Sequence, residues 1–248
     1  MATTTAGGAT TAEFGRTVVK TRSQGRLFFT LLPAAMFLVV IVGFAPTYYL
    51  KTAFGTPALP VLYHVHGAAF TAWMLLLILQ PALVASGRTP LHRKLGVVGG
   101  VLAAVMTVLA FFVAIDLGRR GGGPPGVPPA GFTAVTLFTV VVFPAFVGAA
   151  LWWRQFPATH KRLMMIATME LLPAGVGRWP GVADLGPLGF FGGADLALIA
   201  LLVYDRVTTG RFHRATVWGG ALLVASQVVR VVLAFNEGWQ AFARSLIG

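Results

Sequence analysis

Long apolar runs free of Asp, Glu, Lys and Arg alternate along the chain with short basic clusters. A helix needs about 20 mostly apolar residues to cross roughly 30 Å of hydrocarbon. By that measure the pattern predicts membrane-spanning helices over 27–44, 61–86, 95–115 and 131–153. Three weaker segments follow, from about 161 to 178, 188 to 204 and 215 to 235, each interrupted by an ionisable residue. The expectation is an all-α transmembrane bundle of seven helices. Residues 1–26 read as a disordered, basic N-terminal segment, and 27–248 as one transmembrane helical domain. The apolar run after Arg26 is too long for the core of a cleavable signal peptide.

Composition narrows the class. Of 248 residues 56% are hydrophobic and 10% charged, whereas a soluble domain carries about 25% charged residues. There is too little charge to cover a water-facing surface, and the mean hydropathy is +0.79. The chain has no cysteine, which excludes a disulfide, a thiolate nucleophile, an iron–sulfur cluster and a Cys-based zinc site. The net charge of +12 is read as loops lying against anionic lipid at the cytoplasmic face, with no nucleic-acid partner.

Lys and Arg bias sets orientation. Thirteen of the 19 basic residues fall in the N-terminal segment and in the loops around Arg88, Arg154 and Arg206, which share one side. Five, Lys51, Arg119, Arg120, Arg178 and Arg244, fall on the other side, and Arg230 lies within a span. The expectation is a cytoplasmic N-terminus, an external C-terminus and residence in the inner (plasma) membrane. The Gly/Pro-rich stretches 116–130 and 175–193 read as outer loops.

Each inner loop ends in a histidine-plus-basic corner: His92-Arg93-Lys94, His160-Lys161-Arg162 and His213-Arg214. Three imidazoles suit zinc or copper, but the crowd of basic residues repels a divalent cation. Lipid phosphate, at about 1 kcal/mol per basic residue, fits His92, Arg93, His160, Lys161, His213 and Arg214. So does a heme held by two of these histidines, its propionates facing the basic groups.

Ionisable groups inside a bilayer are costly and face the interior, in pairs. Depths read at 1.5 Å per residue place His64, His66, Glu170, Arg178, Asp195, Gln227 and Arg230 near the midplane or in the outer half. They predict an outward-facing polar pocket or a salt-bridged core, with Tyr48 and Tyr49 at its rim. Pro173, Gly175 and Gly177 interrupt the fifth helix beside Glu170, as freed backbone does where it lines a cavity. His64 and His66 stand about 200° apart on a helix, so they cannot share one metal. Either one leaves open a five-coordinate heme b, a transition metal held with Glu170 or Asp195, or a proton-linked pair.

The phrases Pro46-Thr-Tyr-Tyr49, His64-Val-His-Gly-Ala-Ala-Phe-Thr-Ala-Trp73, Leu91-His-Arg-Lys-Leu-Gly96, His160-Lys-Arg-Leu-Met164 and Ala225-Ser-Gln-Val-Val-Arg230 resemble an uncharacterised family of bacterial multi-pass membrane proteins. The two His-basic corners are also similar to membrane proteins of heme–copper oxidase assembly and to b-type cytochrome-like domains. The resemblance implies a multi-pass helical fold and a heme or redox role. Two functions stand after this reading: a heme- or metal-linked redox or oxidase-maturation protein, and a carrier or receptor for a small anionic ligand. A subunit packed against a membrane-protein partner or a second copy is a further class. A metal-dependent hydrolase lacks its His-x-x-x-His, and a Schiff-base photoreceptor lacks a lysine deep in the last span.

Overall fold

A computed structural model describes residues 11–248, with side chains from Gly25 onward, and every regular element among them is helical. Helix α1 (Thr11–Phe44) continues as a π-helical turn over Ala45–Tyr49. It is followed by α2 (Val61–Ala85), α3 (Thr89–Arg119), α4 (Pro129–Trp152), α5 (Pro157–Met169), α6 (Leu172–Val176), α7 (Gly186–Thr209), α8 (Arg214–Ala234) and α9 (Glu237–Ile247). Six segments are long and apolar enough to cross a membrane: Gly25–Tyr49, α2, α3, α4, Ala183–Thr209 and α8. In each, between 22% and 33% of the most apolar window is buried. Most of their apolar side chains therefore face outward, which only a lipid solvent tolerates.

The α5–α6 segment is different. From Arg162 to Val176 only Met164 and Ala174 escape burial. It carries Arg162 and Glu170, and α5 ends after 13 residues, before Pro173, too short a helix to cross a bilayer alone. Proline supplies no N–H and its ring clashes with the carbonyl four residues back, here Met169. The chain accommodates this with one tight turn, Leu171 N donating to Thr168 O at 3.0 Å. Beyond the break, α6 packs against α1. A Cβ on Gly43 would stand 2.1 Å from the Gly175 carbonyl oxygen, so this close crossing of backbones requires glycine. Pro33, Pro81 and Pro144 lie inside continuous helices.

The corners at His92, His160 and His213 share one end of the bundle, where Asp205 meets Arg162 and the ring of His92 stands beside that of His160. The opposite end gathers the close of α1 and start of α2, through Tyr48 OH donating to His64 O at 3.1 Å, and the close of α3, through Tyr63 OH donating to Asp116 Oδ2 at 2.9 Å.

Three boundaries differ from the sequence-based expectation. The segment expected to be disordered to residue 26 is helical from Thr11, and residues 1–10 lie outside the described part. The loop expected over 175–193 shrinks, because α6 runs to Val176 and α7 starts at Gly186. Helix α9 was not expected. Its N-cap Asn236 accepts from Trp239 N at 2.9 Å, a favourable start. It folds back along α3 and α4, with Trp239 Nε1 donating to Thr133 Oγ1 at 3.2 Å and Arg119 Nε to Ile247 O at 2.8 Å.

Candidate functional site

The polar groups expected to form one outward pocket are instead engaged in separate partnerships. Glu170, at the α5–α6 break, pairs with Arg230 of α8 at 2.6 Å, both side chains about 1% exposed. Thr139 of α4 donates to Glu170 Oε1 at 3.0 Å, and Arg230 Nη2 donates to Ser226 Oγ at 3.2 Å. This is the salt-bridged core that the sequence offered as the alternative to a pocket. Gln227 donates to Asp195 Oδ1 at 3.0 Å. Arg178 donates to the Ala174 carbonyl and lies over the Phe44 ring at 4.1 Å. Tyr49 OH bonds Thr71 Oγ1 at 2.8 Å. His64 is exposed, while His66 packs on Phe70 at 4.2 Å with its Nδ1 buried and unpartnered. The structure thus brings Glu170 to Arg230 and Asp195 to Gln227, and leaves His64, His66, Tyr48, Tyr49 and Arg178 outside either cluster.

A cavity of about 490 Å³ opens instead at the corner end. Its body is apolar and is walled by Phe29 of α1, Trp73, Leu76 and Leu77 of α2, Val147 and Leu151 of α4, and Met164 and Met165 of α5. Gly96, Gly99 and Gly100 supply a side-chain-free strip of α3. Trp73 is fixed by Nε1 donating to Thr168 Oγ1 at 3.1 Å and by edge contact with Phe143 at 5.2 Å. The polar end holds Gln80, His92, His160, Lys161 and Arg26, with no carboxylate among the described lining residues. Its size lies within the roughly 300–1,000 Å³ of small-molecule and cofactor sites, which combine an apolar body with a few convergent polar groups.

The two imidazoles come from different helix starts, His92 from the first turn of α3 and His160 from the first turn of α5. Their ring centroids are 6.5 Å apart and their planes nearly perpendicular, at 86°. Nδ1 of His160 lies 2.8 Å from the Ala150 carbonyl oxygen at the close of α4. A carbonyl only accepts, so this contact puts a proton on Nδ1, and in the neutral ring Nε2 then carries the lone pair. The same second-sphere bond orients metal-ligating histidines. Lys161 Nζ rests 4.0 Å from the Phe29 ring centroid, and Arg26 is exposed at the mouth.

The third corner takes no part. Asp205 receives Arg162 Nε at 3.0 Å, Thr216 Oγ1 at 2.6 Å and His213 N at 3.1 Å. His213 caps α8, its Nδ1 accepting from Ala215 N at 3.1 Å. Burial first, and the Arg162 charge second, hold the His213 ring below its ordinary pKa range, which keeps that nitrogen free to accept. The three-histidine metal cluster is therefore not formed. Among the described residues no group of three or more His, Asp or Glu side chains could hold a metal ion. Arg93 and Arg214 are exposed, as lipid-phosphate contacts require.

Sequence reasoning found His92, His160 and Lys161 but not the cavity they border. Gln80 and the Gly96-x-x-Gly99-Gly100 strip were the available signals: a carboxamide inside an apolar span, and small residues on one helical face. No protein-family model, curated protein or solved structure matches the chain.

The Glu170–Arg230 pair is expected to behave as a buried ion pair. Removing one charge, as in Glu170→Gln or Arg230→Met, leaves the other uncompensated and should cost roughly 3–5 kcal/mol. The double variant Glu170→Met/Arg230→Met should recover much of that loss. Thermal unfolding in detergent measures both, and single variants as stable as the parent would count against the pairing.

Proposed function

We propose that the protein is a heme-linked redox protein of the bacterial inner membrane, with the heme seated in the corner-end cavity. The observation that carries this reading is the bond between His160 Nδ1 and the Ala150 carbonyl, in a residue lining a cavity with a second imidazole beside it. Histidine is a regular axial ligand of heme iron, and the protein tunes the group through second-sphere hydrogen bonds and burial. The fit extends to the rest of the lining. The α3 glycines let Leu76 of α2 and Leu151 of α4 pack close to that helix, Trp73, Leu76 and Leu77 line the apolar body, and Arg26 and Lys161 would supply cations for two propionates. When bound, the heme supplies one-electron chemistry. The chain supplies the orienting imidazoles, the low-dielectric wall and the charge at the mouth.

The site differs from the one the sequence favoured. The sequence pointed to His64 or His66 as the heme or metal ligand, and these lie at the opposite end, where His64 is exposed and His66 faces Phe70.

A second reading has its own support. A described lining that carries cations, with no carboxylate among the described residues, also suits an acidic amphiphile without iron, the expected carrier or receptor for a small anionic ligand. Absorption spectroscopy of protein purified from heme-replete cells separates the two. The heme reading predicts a Soret band and about one iron per chain, both lost in His160→Ala and both retained in His213→Ala and His64→Ala. A colourless, iron-free protein that releases a fatty acid or other acidic lipid to mass spectrometry would contradict it and support the second reading.

We also propose seven crossings, with α5–α6 as the seventh, the N-terminus cytoplasmic and α9 on the outer surface. Twenty-one residues from Pro157 to Gly177 span about 30 Å at 1.5 Å per residue, and both ends of the bundle are reached, by His160 at one and Gly175 at the other. Because the chain lacks cysteine, single cysteines at residues 154 and 244 report sidedness directly. A membrane-impermeant maleimide added to intact cells, their outer membrane permeabilised, should label position 244 and spare position 154. The reverse pattern, or labelling of both, would overturn the topology.

A further inference from the structure

The corner-end cavity is walled by α1 to α5 and by Tyr204 of α7. At that end of the bundle, all but one of the seams between neighbouring walls are closed by a specific contact. Between α2 and α3, the Gln80 carboxamide accepts from Gly96 N at 3.1 Å and donates to the His92 carbonyl oxygen at 3.2 Å, the one orientation that satisfies both of its ends. Deeper in the same seam, Leu76 Cδ2 stands 2.9 Å from where a Cβ on Gly99 would lie. Between α3 and α4, Leu151 Cδ1 stands 3.6 Å from the corresponding point on Gly100. The bond between His160 and the Ala150 carbonyl closes α4 on α5. Lys161 over the Phe29 ring closes α5 on α1, and Tyr204, stacked on Phe28 at 4.2 Å, closes α7 on α1.

The seam between α1 and α2 is the exception. Its polar contacts lie at the opposite end, where Tyr48 donates to the His64 carbonyl and Tyr49 bonds Thr71. At the corner end, no hydrogen bond, ion pair or ring contact joins these two helices among the described residues. The hydroxyls there turn back on their own helices, Thr30 to Arg26 O and Ser86 to Leu83 O. Here the cavity lining reaches the surface. Arg26 of α1 is exposed, and Val84 of α2 lines the cavity while 47% exposed. Pro81 and Ala85 complete an apolar rim on the α2 side.

Val84 and Ala85 end an apolar span, so this rim sits where acyl chains meet headgroups. Polarity inside the cavity runs in the same order as in a leaflet. Gln80, His92, His160 and Lys161 stand at the corner end, and Trp73 and Met165 lie toward the middle of the bundle. An amphiphile in the adjoining leaflet already has its head and its apolar body in that order. Moving sideways, it neither inverts nor exposes its apolar body to water, which is the costly step of an aqueous route.

We propose that the cavity is filled laterally from the bilayer. An amphiphile with an acidic head, dissolved in the leaflet at the corner end, enters between Arg26 and Val84 through the α1–α2 seam. Arg26 meets the head at the rim and Lys161 receives it inside. The proposal rests on the cavity holding an acidic amphiphile, which the heme reading and the iron-free reading share.

The test uses full-length protein made in heme-deficient cells and reconstituted in vesicles of phosphatidylcholine and phosphatidylglycerol, with dansyl-labelled undecanoic acid as probe. Because the chain lacks cysteine, the two rims of the seam can be joined in Arg26→Cys/Val84→Cys with a bismaleimide. Saturable uptake, read as a rise in dansyl emission, is expected in the parent and in the open double variant, and should be lost once the crosslink is made. Probe loaded before crosslinking should stay trapped. Uptake by the crosslinked protein at the rate of its open form would overturn the lateral route and leave the reading of the cavity intact. No saturable uptake by the parent would remove that reading and this inference with it. A nitroxide on Val84→Cys alone decides the route if the double variant does not fold or bind. It should be relaxed by oxygen dissolved in the bilayer and protected from a water-soluble nickel chelate. Relaxation by the chelate instead would place the opening in water and overturn the lateral route.

Discussion

A polar segment can lie at the centre of an apolar bundle only if every charge it carries meets its opposite there. The α5–α6 segment carries two such charges at buried positions, Arg162 and Glu170. Each finds its counter-ion on a different helix, Asp205 of α7 and Arg230 of α8. Isolated, either charge would be driven out of the bundle or neutralised. Paired, the two bonds tie the segment laterally to α7 and α8. Its other side is left to face α1, α2, α3 and α4, and there the cavity opens, with His160, Lys161, Met164 and Met165 on its wall.

The same arrangement separates two kinds of chemistry along the bundle. The end beyond Glu170 closes on itself through the Asp195–Gln227 and Tyr63–Asp116 bonds and the stacking of Arg178 on Phe44. The corner end stays open and carries the basic residues. Lys and Arg side chains there have apolar stems that lie along apolar neighbours while the charge reaches water or phosphate, as Lys161 does over Phe29. A positive mouth over an apolar chamber has the chemistry that the proposed acidic-edged, apolar ligand would need.

Much of the fold was legible because a bilayer imposes a simple rule on sequence: long uncharged runs become helices. The six apolar segments, the shared end of the three histidine corners and the interruption before Pro173 all follow from it. The α5–α6 segment was legible by its proline and its charges, yet its burial was not, since burial depends on which helices surround it. The site was legible only in part. Intramembrane charges announce that they need partners, and Glu170 with Arg230 answers that. Sequence spacing could not choose the partners, nor show that they would consume the polar groups of the expected outward pocket. The cavity was hidden for the same reason. Gln80, Gly96 and His160 come from three helices, and no local pattern marks that they face one another. Helix α9 was missed because its apolar residues are too few to signal a span and its packing on Thr133 and Arg119 is tertiary.

Locating iron tests the proposed heme site most directly. A crystal structure of the heme-loaded protein, with the anomalous signal of iron, should place the metal within about 2.1 Å of His160 Nε2, the distance of an ordinary metal–imidazole bond. Iron beside His64 or His66, or an acyl chain filling the space between Trp73 and the α3 glycines, would contradict that placement.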